Sequence, residues 1–568
     1  MNRSFLVIRA ALLLGTLVLG PGCDFLRGYA EGPSSTLLSW WGQHPPADAR
    51  ELGAARFLFD DFRSLNTDAL QTNALPWKLT VAAMFTRHDG VAAPHLDGGE
   101  VAPSEEGWLT LLEQRYGFVR ASAVANWPGA SSPALSRNLG VISGDIRRAV
   151  PRVRFEANNH GCATCHASNL WDARGLPTHD VWLGLPSTSI DLGRYSSEVY
   201  AALQAAARDP QPVVAMLDRI YPQLDPVERG TIIDIMLPAF LHRIGGVDAP
   251  AEPVPFDNGG PGLSNAVGHI KNHFGLLNPT LGPAEIAFTQ IPDVISVQVR
   301  SSLLCDGIYA PKGHAPFTPH RRDAPDRLAH AQEVGAIGTL FTVSTLGVAP
   351  KTAQENLPAV REVMAFFADA DTPPFPGVVA IDAARRGLSV WTARCQACHG
   401  SIELVGQRSH VVEFPNHLSS LEEIGTDPAR ANAATAKLLE HLIDYPVGAA
   451  IDAAPRGGYV APTLSGIWAT APYLHNGSVP TLWHLMHPDT RPRRFQQGGH
   501  ALDFDKVGIK GFVDDDGMWR FPPDYVPWML PAVYDATSPG RTNVGHVVPF
   551  DAMSEAEKAD VLELLKTF

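Results

Sequence analysis

Charged residues are few, 18% of this 568-residue chain against a usual ~25%, and lysine and arginine form no run. The net charge of −14 excludes the basic face that a nucleic-acid binder needs, while leaving the docking of a basic redox partner open. No glycine-rich phosphate loop occurs. Beyond the amino end no stretch approaches the ~20 apolar residues that span a bilayer, so the rest of the chain is expected in water. Disorder is excluded as well, because 45% of the residues are hydrophobic. The 50 glycines and 48 prolines point to a globular protein rich in loops. The length exceeds what one compact core accommodates, which predicts two or three domains.

The amino end differs from the rest. Arg3 and Arg9 precede an apolar stretch from Ala10 to Gly20, too short to span comfortably but suited to the apolar region of a secretory signal. Cys23 follows Gly22, where a bacterial lipoprotein is cleaved and acylated, although Gly20 and Pro21 fit that signal poorly. Residues 1–23 are therefore read as an export signal, with a lipid anchor at Cys23 as its variant. The expected location is the periplasm, or the outer membrane as an anchored lipoprotein.

Cysteine is scarce too, six in all, and four of the six fall into one repeated pattern. Cys162-Ala-Thr-Cys165-His166 and Cys395-Gln-Ala-Cys398-His399 are both C-x-x-C-H. Two residues between the thiols make one helical turn, so both sulfurs reach the vinyl groups on one porphyrin edge. The following histidine then stands under the iron as proximal ligand. Chance would produce one such match in about one sequence of several hundred, so two are not coincidence. Zinc would require the pairs to meet across the chain and leaves both histidines unexplained. A thioredoxin-type dithiol needs a βαβ setting that the sequence does not offer. The cofactors expected are two covalently bound haem c groups. Cys305 has no such partner and reads first as a small buried hydrophobe.

Helical spacing organises the remainder. Thr36–Trp41, Trp108–Tyr116 and Gly230–Ile244 read as helices, as does the stripe Leu357, Val360, Met364, Phe367. Ile381 to Arg394 forms a helix leading into the second motif, with Trp391 as a wall residue. Ser554 and Glu557 form a capping box for a last helix through Val561, Leu564 and Leu565. No strand-dominated region is evident, so the fold class expected is mostly α, with two cytochrome c-like haem domains and long loops. The divisions are an amino-terminal extension of unknown role at 24–150, a first haem domain at 151–350 and a second at 351–568. Ala251–Gly262 reads as a linker and His160 as a loop residue.

Two such motifs in one exported chain resemble the bacterial di-haem cytochrome c peroxidase superfamily, which includes MauG-like proteins, rubber oxygenases and di-haem fatty-acid dioxygenases. Residues 300–309, 341–348 and 373–377 carry the likeness. The strongest stretch is 461–480, APTLSGIWATAPYLHNGSVP, which is similar to the segment around the carboxyl-terminal haem of the rubber-oxygenase branch. Thr542-Asn-Val-Gly-His546 extends it. The resemblance implies one six-coordinate electron-transfer haem and one reactive haem. It implies His546 as second axial ligand of the haem on Cys395 and Cys398, with Met486 as the rival seen in the peroxidase branch, and His475 near that haem. Cys305 stands where relatives place an aromatic between the haems, so Tyr309, Trp171 and Trp182 are the substitutes considered. His269 and His273, four residues apart, are the candidates for the distal side of the first haem, as acid/base groups or ligands. The function expected is reduction of hydrogen peroxide with electrons relayed between two haems. The alternatives are O2-dependent oxidation of an unsaturated lipid or polyisoprenoid, and a non-enzymatic electron carrier. The partner expected is a redox protein or a small electron donor.

Overall fold

A computed structural model describes residues 35–65, 74–88, 101–148, 152–243, 256–277, 287–443 and 446–568. Cys23 and the export signal lie outside the described residues. Helix accounts for 41% and strand for 17%, so helix predominates but strand is more abundant than the sequence pattern suggested. Among the described residues the strands form eight small sheets of two to four strands each. They escape sequence patterning because they are short and carry residues that strands disfavour. Strand Val153–His160 buries Val153, Phe155 and Ala157 in alternation, yet ends Asn-Asn-His. His160, expected in a loop, is the last residue of this strand.

The helices expected from periodicity are present: Ser35–Gln43, Glu105–Tyr116, Leu237–Arg243, Leu357–Phe367, Ile381–Arg394 and Glu555–Leu565. Ahead of Leu237 the chain makes a wider π turn, Thr231–Met236. Both halves of the capping box at Ser554 form.

The two C-x-x-C-H motifs are mounted differently. The first is a single helical turn, Cys162–Cys165, between two sheets. Before it, Val153–His160 pairs antiparallel with Val141–Arg148 on one side and with Leu75–Pro76 on the other. After it, Ala167–Trp171 pairs with Pro177–Leu183. The 24–150 stretch is thus built into the mount of the first motif, supplying two of the three strands that lead into it. Its helix Ala49–Phe59 reaches further, laying Phe57 edge-on against Phe367 at 4.9 Å and pairing Arg56 with Glu362 at 2.5 Å. Tyr309–Pro311 likewise pairs with Ile451–Ala453. The stretches divided at 150 and 350 therefore interlock, and one apolar cluster includes residues from Leu37 to Phe568.

The second motif follows a long helix. Ile381–Arg394 runs into the turn Gln396–His399, and the carboxyl-terminal helix Glu555–Leu565 crosses it closely. At the crossing, a Cβ on Gly387 would sit 2.2 Å from the Asp560 carbonyl oxygen. Arg386 clasps both Asp560 oxygens at 2.6 and 2.9 Å. An alanine in mid-helix ordinarily stabilises by ~0.5–1 kcal/mol over glycine. At Gly387 the sign reverses: Gly387→Ala is expected to destabilise by about 1–3 kcal/mol through overpacking, read as a lower urea midpoint.

Candidate haem sites

The carboxyl-terminal site is a cavity of about 450 Å³ whose wall includes Cys395, Cys398 and His399 together with Met486 and His546. Trp391, Leu464, Ile467, Leu482, Leu485, Phe550, Val561 and Leu565 make much of its surface apolar. His399 Nδ1 lies 2.8 Å from the Pro462 carbonyl oxygen. A carbonyl only accepts, so Nδ1 carries the proton and Nε2 keeps its lone pair for a metal. Trp391 donates its indole N–H to the Gly400 carbonyl at 3.0 Å, tying the helix to the end of the motif. Burial pushes the Cys395 thiol up to about 12, so it stays a neutral thiol.

His546 faces His399 with ring centres 6.1 Å apart. Its backbone has a φ of +49°, in the left-handed region, and is held there from several sides. The His546 N–H donates to the Ile424 carbonyl at 2.7 Å. The Arg491 guanidinium donates to the carbonyls of Asn543 and Gly545 at 2.6 and 2.8 Å. Gly545 (φ +81°) passes so close to Gly425 that a Cβ would lie 2.3 Å from that residue's carbonyl carbon. Thr542 adds a hydroxyl bond to Asp427 at 2.7 Å. A residue at positive φ is costly unless its surroundings impose it, and here they do.

This donor set can be tested against haem c by arithmetic. An imidazole nitrogen sits about 2.0 Å from a bound metal and its ring centre roughly 1.1 Å further, so two axial imidazoles on one ion have centres about 6 Å apart. The 6.1 Å observed, two thiols one helical turn apart and an apolar cavity around them fit a covalently bound haem. His546 Nδ1 is buried without a partner, and burial holds the ring down at about 4, so it stays a neutral potential ligand.

The amino-terminal motif repeats the grip. His166 Nδ1 donates to the Pro292 carbonyl at 2.9 Å, and burial pushes Cys162 and Cys165 up to about 12. Pro292 and the adjoining Asp293 also line the carboxyl-terminal cavity. Asp293 pairs at 2.5 Å with Arg300, another residue of that wall. One short segment therefore touches the histidine of the first motif and the cavity of the second.

Residues 458–496 match the RoxA-like, cytochrome c-like family. The stretch holds Pro462, which grips His399, together with His475 and Met486. The chain thus contains a cytochrome c-like domain, and a domain of this kind implies covalently bound haem c. Two proteins of Sinorhizobium fredii (strain NBRC 101917 / NGR234), both described as uncharacterized, are similar to parts of it. Protein y4iM is 44% identical over 89 residues, 16% of this chain and 19% of its own length. Protein y4iJ is 28% identical, the match covering 32% of this chain and 38% of y4iJ. In neither case is two thirds of the relative covered.

The other residues singled out in the sequence scatter. His475 lines the carboxyl-terminal cavity and stacks on Tyr459 at 4.0 Å. Cys305 lines it as well, beside the buried Arg430–Asp306 pair, whose closest approach is 3.1 Å. His269 sits on helix Ala266–His273, its Nε2 on Asn258 at 2.9 Å and its ring against Phe256; neither neighbour belongs to the first motif. His273 ends that helix, and its side chain lies outside the described residues. Tyr309 packs edge-on against Phe341, and Trp182 donates to the Asp371 carbonyl at 3.0 Å. Trp171 meets Trp468 at 6.3 Å and His500 at 5.6 Å. Sequence reasoning missed Arg491, Pro292 and Pro462. The two prolines act through backbone carbonyls, which leave no residue-type signature, and Arg491 acts on a loop about 50 residues away.

Replacing His546 by Ala is expected to remove the bis-imidazole low-spin EPR signal of the carboxyl-terminal haem, whereas Met486→Leu leaves it in place. Gly545→Ala is expected to perturb the same signal while the first haem's spectrum stays unchanged. A separate expectation concerns His500, fully buried, its Nε2 without a partner and its ring held down at about 4 by burial. A folded value below the unfolded 6.5 gives stability that is complete above pH 6.5 and lost as pH falls toward 4. His500→Phe should flatten that acid loss by on the order of 3 kcal/mol, measured as urea midpoints at pH 4.5 and 7.5.

Proposed function

We propose that the protein is an exported di-haem c-type oxidoreductase in which the carboxyl-terminal site relays electrons and the amino-terminal site carries the reaction. The observation that carries this reading is the facing pair His399 and His546, 6.1 Å apart in one cavity with Cys395 and Cys398. Cys162 and Cys165, and Cys395 and Cys398, would each hold one haem c, with His166, His399 and His546 as the histidines that would offer nitrogen to the iron. When bound, haem c supplies a one-electron iron couple and, at an open coordination position, activation of peroxide or dioxygen.

The chain's own groups set the terms of that chemistry. The carbonyls of Pro292 and Pro462 fix the tautomer of each proximal histidine and raise its basicity. An imidazole rather than the Met486 thioether opposite His399 keeps the reduction potential low. The apolar part of the wall lowers the polarity around the carboxyl-terminal site. The segment from Pro292 to Arg300 provides a through-bond connection between the sites. Val544, Val547 and Val548, exposed around the His546 loop, give an electron partner an apolar edge to approach. Export through the amino-terminal signal read from the sequence would put the protein in the periplasm, or on the outer membrane were Cys23 acylated.

Hydrogen peroxide is the oxidant of the leading reading. The RoxA-like match favours a second, in which dioxygen oxidises an unsaturated lipid or polyisoprenoid. The mature chain is expected to weigh two haems more than its polypeptide, with one low-spin and one high-spin EPR signal. Peroxide consumption with a reduced donor, against O2 uptake with unsaturated lipid, separates the two readings. Two low-spin signals that resist cyanide would reject both and leave an electron carrier.

A further inference from the structure

Behind the wall of the carboxyl-terminal cavity lies a second hollow, about 240 Å³, lined by His314, His320 and His330 with Ser301, Thr318 and Val334. One strand of chain separates the two: Arg300 and Ser302 line the cavity, and Ser301 between them lines the hollow. None of the three histidines belongs to a C-x-x-C-H motif.

Two of them form a unit. His320 and His330 stack face to face, ring centres 3.7 Å apart and 25° from parallel. Two imidazolium rings at that separation repel, so the stack accepts one proton and resists a second. Hydrogen bonding decides which ring takes it. His330, on helix Arg327–Gly335, has Nε2 2.7 Å from the Arg300 carbonyl oxygen. A carbonyl only accepts, so Nε2 carries hydrogen and Nδ1 is the nitrogen open to a further proton. An imidazolium donates more strongly than an imidazole, and Asp326 and Glu333 bring negative charge to the same ring. His320 Nε2 instead meets the Thr318 hydroxyl at 3.4 Å, which serves either protonation state. Burial holds both rings below the ordinary 6.5, and at His320 the neighbouring His330 adds to it. His314 acts on both in the same sense.

The other charged groups nearby are already matched. Arg300 is paired with Asp293, Lys312 with Asp452, Arg321 with Asp323 and Glu413, and Arg327 with Asp369. Helix Leu357–Phe367, packed on the His330 helix, brings Arg361, exposed, and Glu362, paired with Arg56. His314 is half exposed, so the hollow it lines is open to solvent protons.

We propose that the stacked pair is the proton partner of electron uptake in the carboxyl-terminal cavity: His330 gains a proton as the cavity gains an electron and releases it as the electron leaves. This rests on the reading of that cavity as a haem site. The electron comes from the one-electron donor of that reading and the proton from solvent, so opposite charges arrive together and depart together. Positive charge behind a wall one strand thick stabilises negative charge in a partly apolar cavity, and the effect is reciprocal.

The test uses the mature, haem-loaded protein between pH 5 and 8. Deuterium exchange at the histidine C2 carbon, followed by peptide mass spectrometry, reads the half-titration of His330. It is expected below pH 6.5 in the oxidised protein and about half a pH unit or more higher in the reduced protein. The midpoint potential of the low-spin haem should fall with rising pH over the same window. His330→Gln, which still donates to the Arg300 carbonyl but cannot charge, is expected to lose that fall. His320→Phe, which keeps a stacked ring, should retain it at higher pH, and His417→Ala should leave it in place. A His330 half-titration independent of oxidation state, an unchanged fall in His330→Gln, or its loss in His417→Ala would each overturn the proposal. Absence of the low-spin haem signal would overturn the haem reading and this proposal with it. An intact Soret band and far-UV circular dichroism certify folding, and the comparison of oxidation states needs no variant.

Discussion

A histidine whose Nδ1–H is committed to a backbone carbonyl has one nitrogen left to offer, and its direction is no longer free. Both C-x-x-C-H histidines are held this way, His166 by Pro292 and His399 by Pro462. The carbonyls belong to segments 126 and 63 residues downstream of their histidines, so neither imidazole can be aimed until the chain has closed around it. The rest of the carboxyl-terminal site is arranged about this constraint. The crossing at Gly387 seats the motif helix, the apolar wall shapes the cavity, and the Arg491 clamp brings His546 to face His399.

The two mounts differ in build. A long helix pinned by a second helix gives the carboxyl-terminal motif its base. The amino-terminal motif is a lone helical turn between strands, supported by the Leu75–Pro76 and Val141–Arg148 strands of the amino-terminal stretch. That stretch, which reads in the sequence as an appendage without chemistry, is part of what positions the first thiols. The segment from Pro292 to Arg300 then serves two places at once: the histidine of the first motif and the wall of the second cavity.

The local signals were legible because each is a short-range physical requirement. Two thiols and a histidine on one helical turn make a fixed short spacing, so Cys162 to His166 and Cys395 to His399 declare themselves. A capping box is closed within three residues, and the helix Ile381–Arg394 follows from its own stripe. The short strands were not legible, since two to eight residues with asparagine and histidine among them carry little periodic signal.

The sequence by itself determined where the two C-x-x-C-H patterns stand and which helix leads into the second, while its family resemblance named His546 and Met486 as rivals to stand opposite His399. Only the tertiary structure decided that a ring 147 residues further on lies at a spacing suited to a shared metal, and that His269 is occupied by Asn258 and Phe256. The reason is one of distance. A ligand set is defined in ångströms, and between residues far apart in the chain those separations exist only once the backbone has folded.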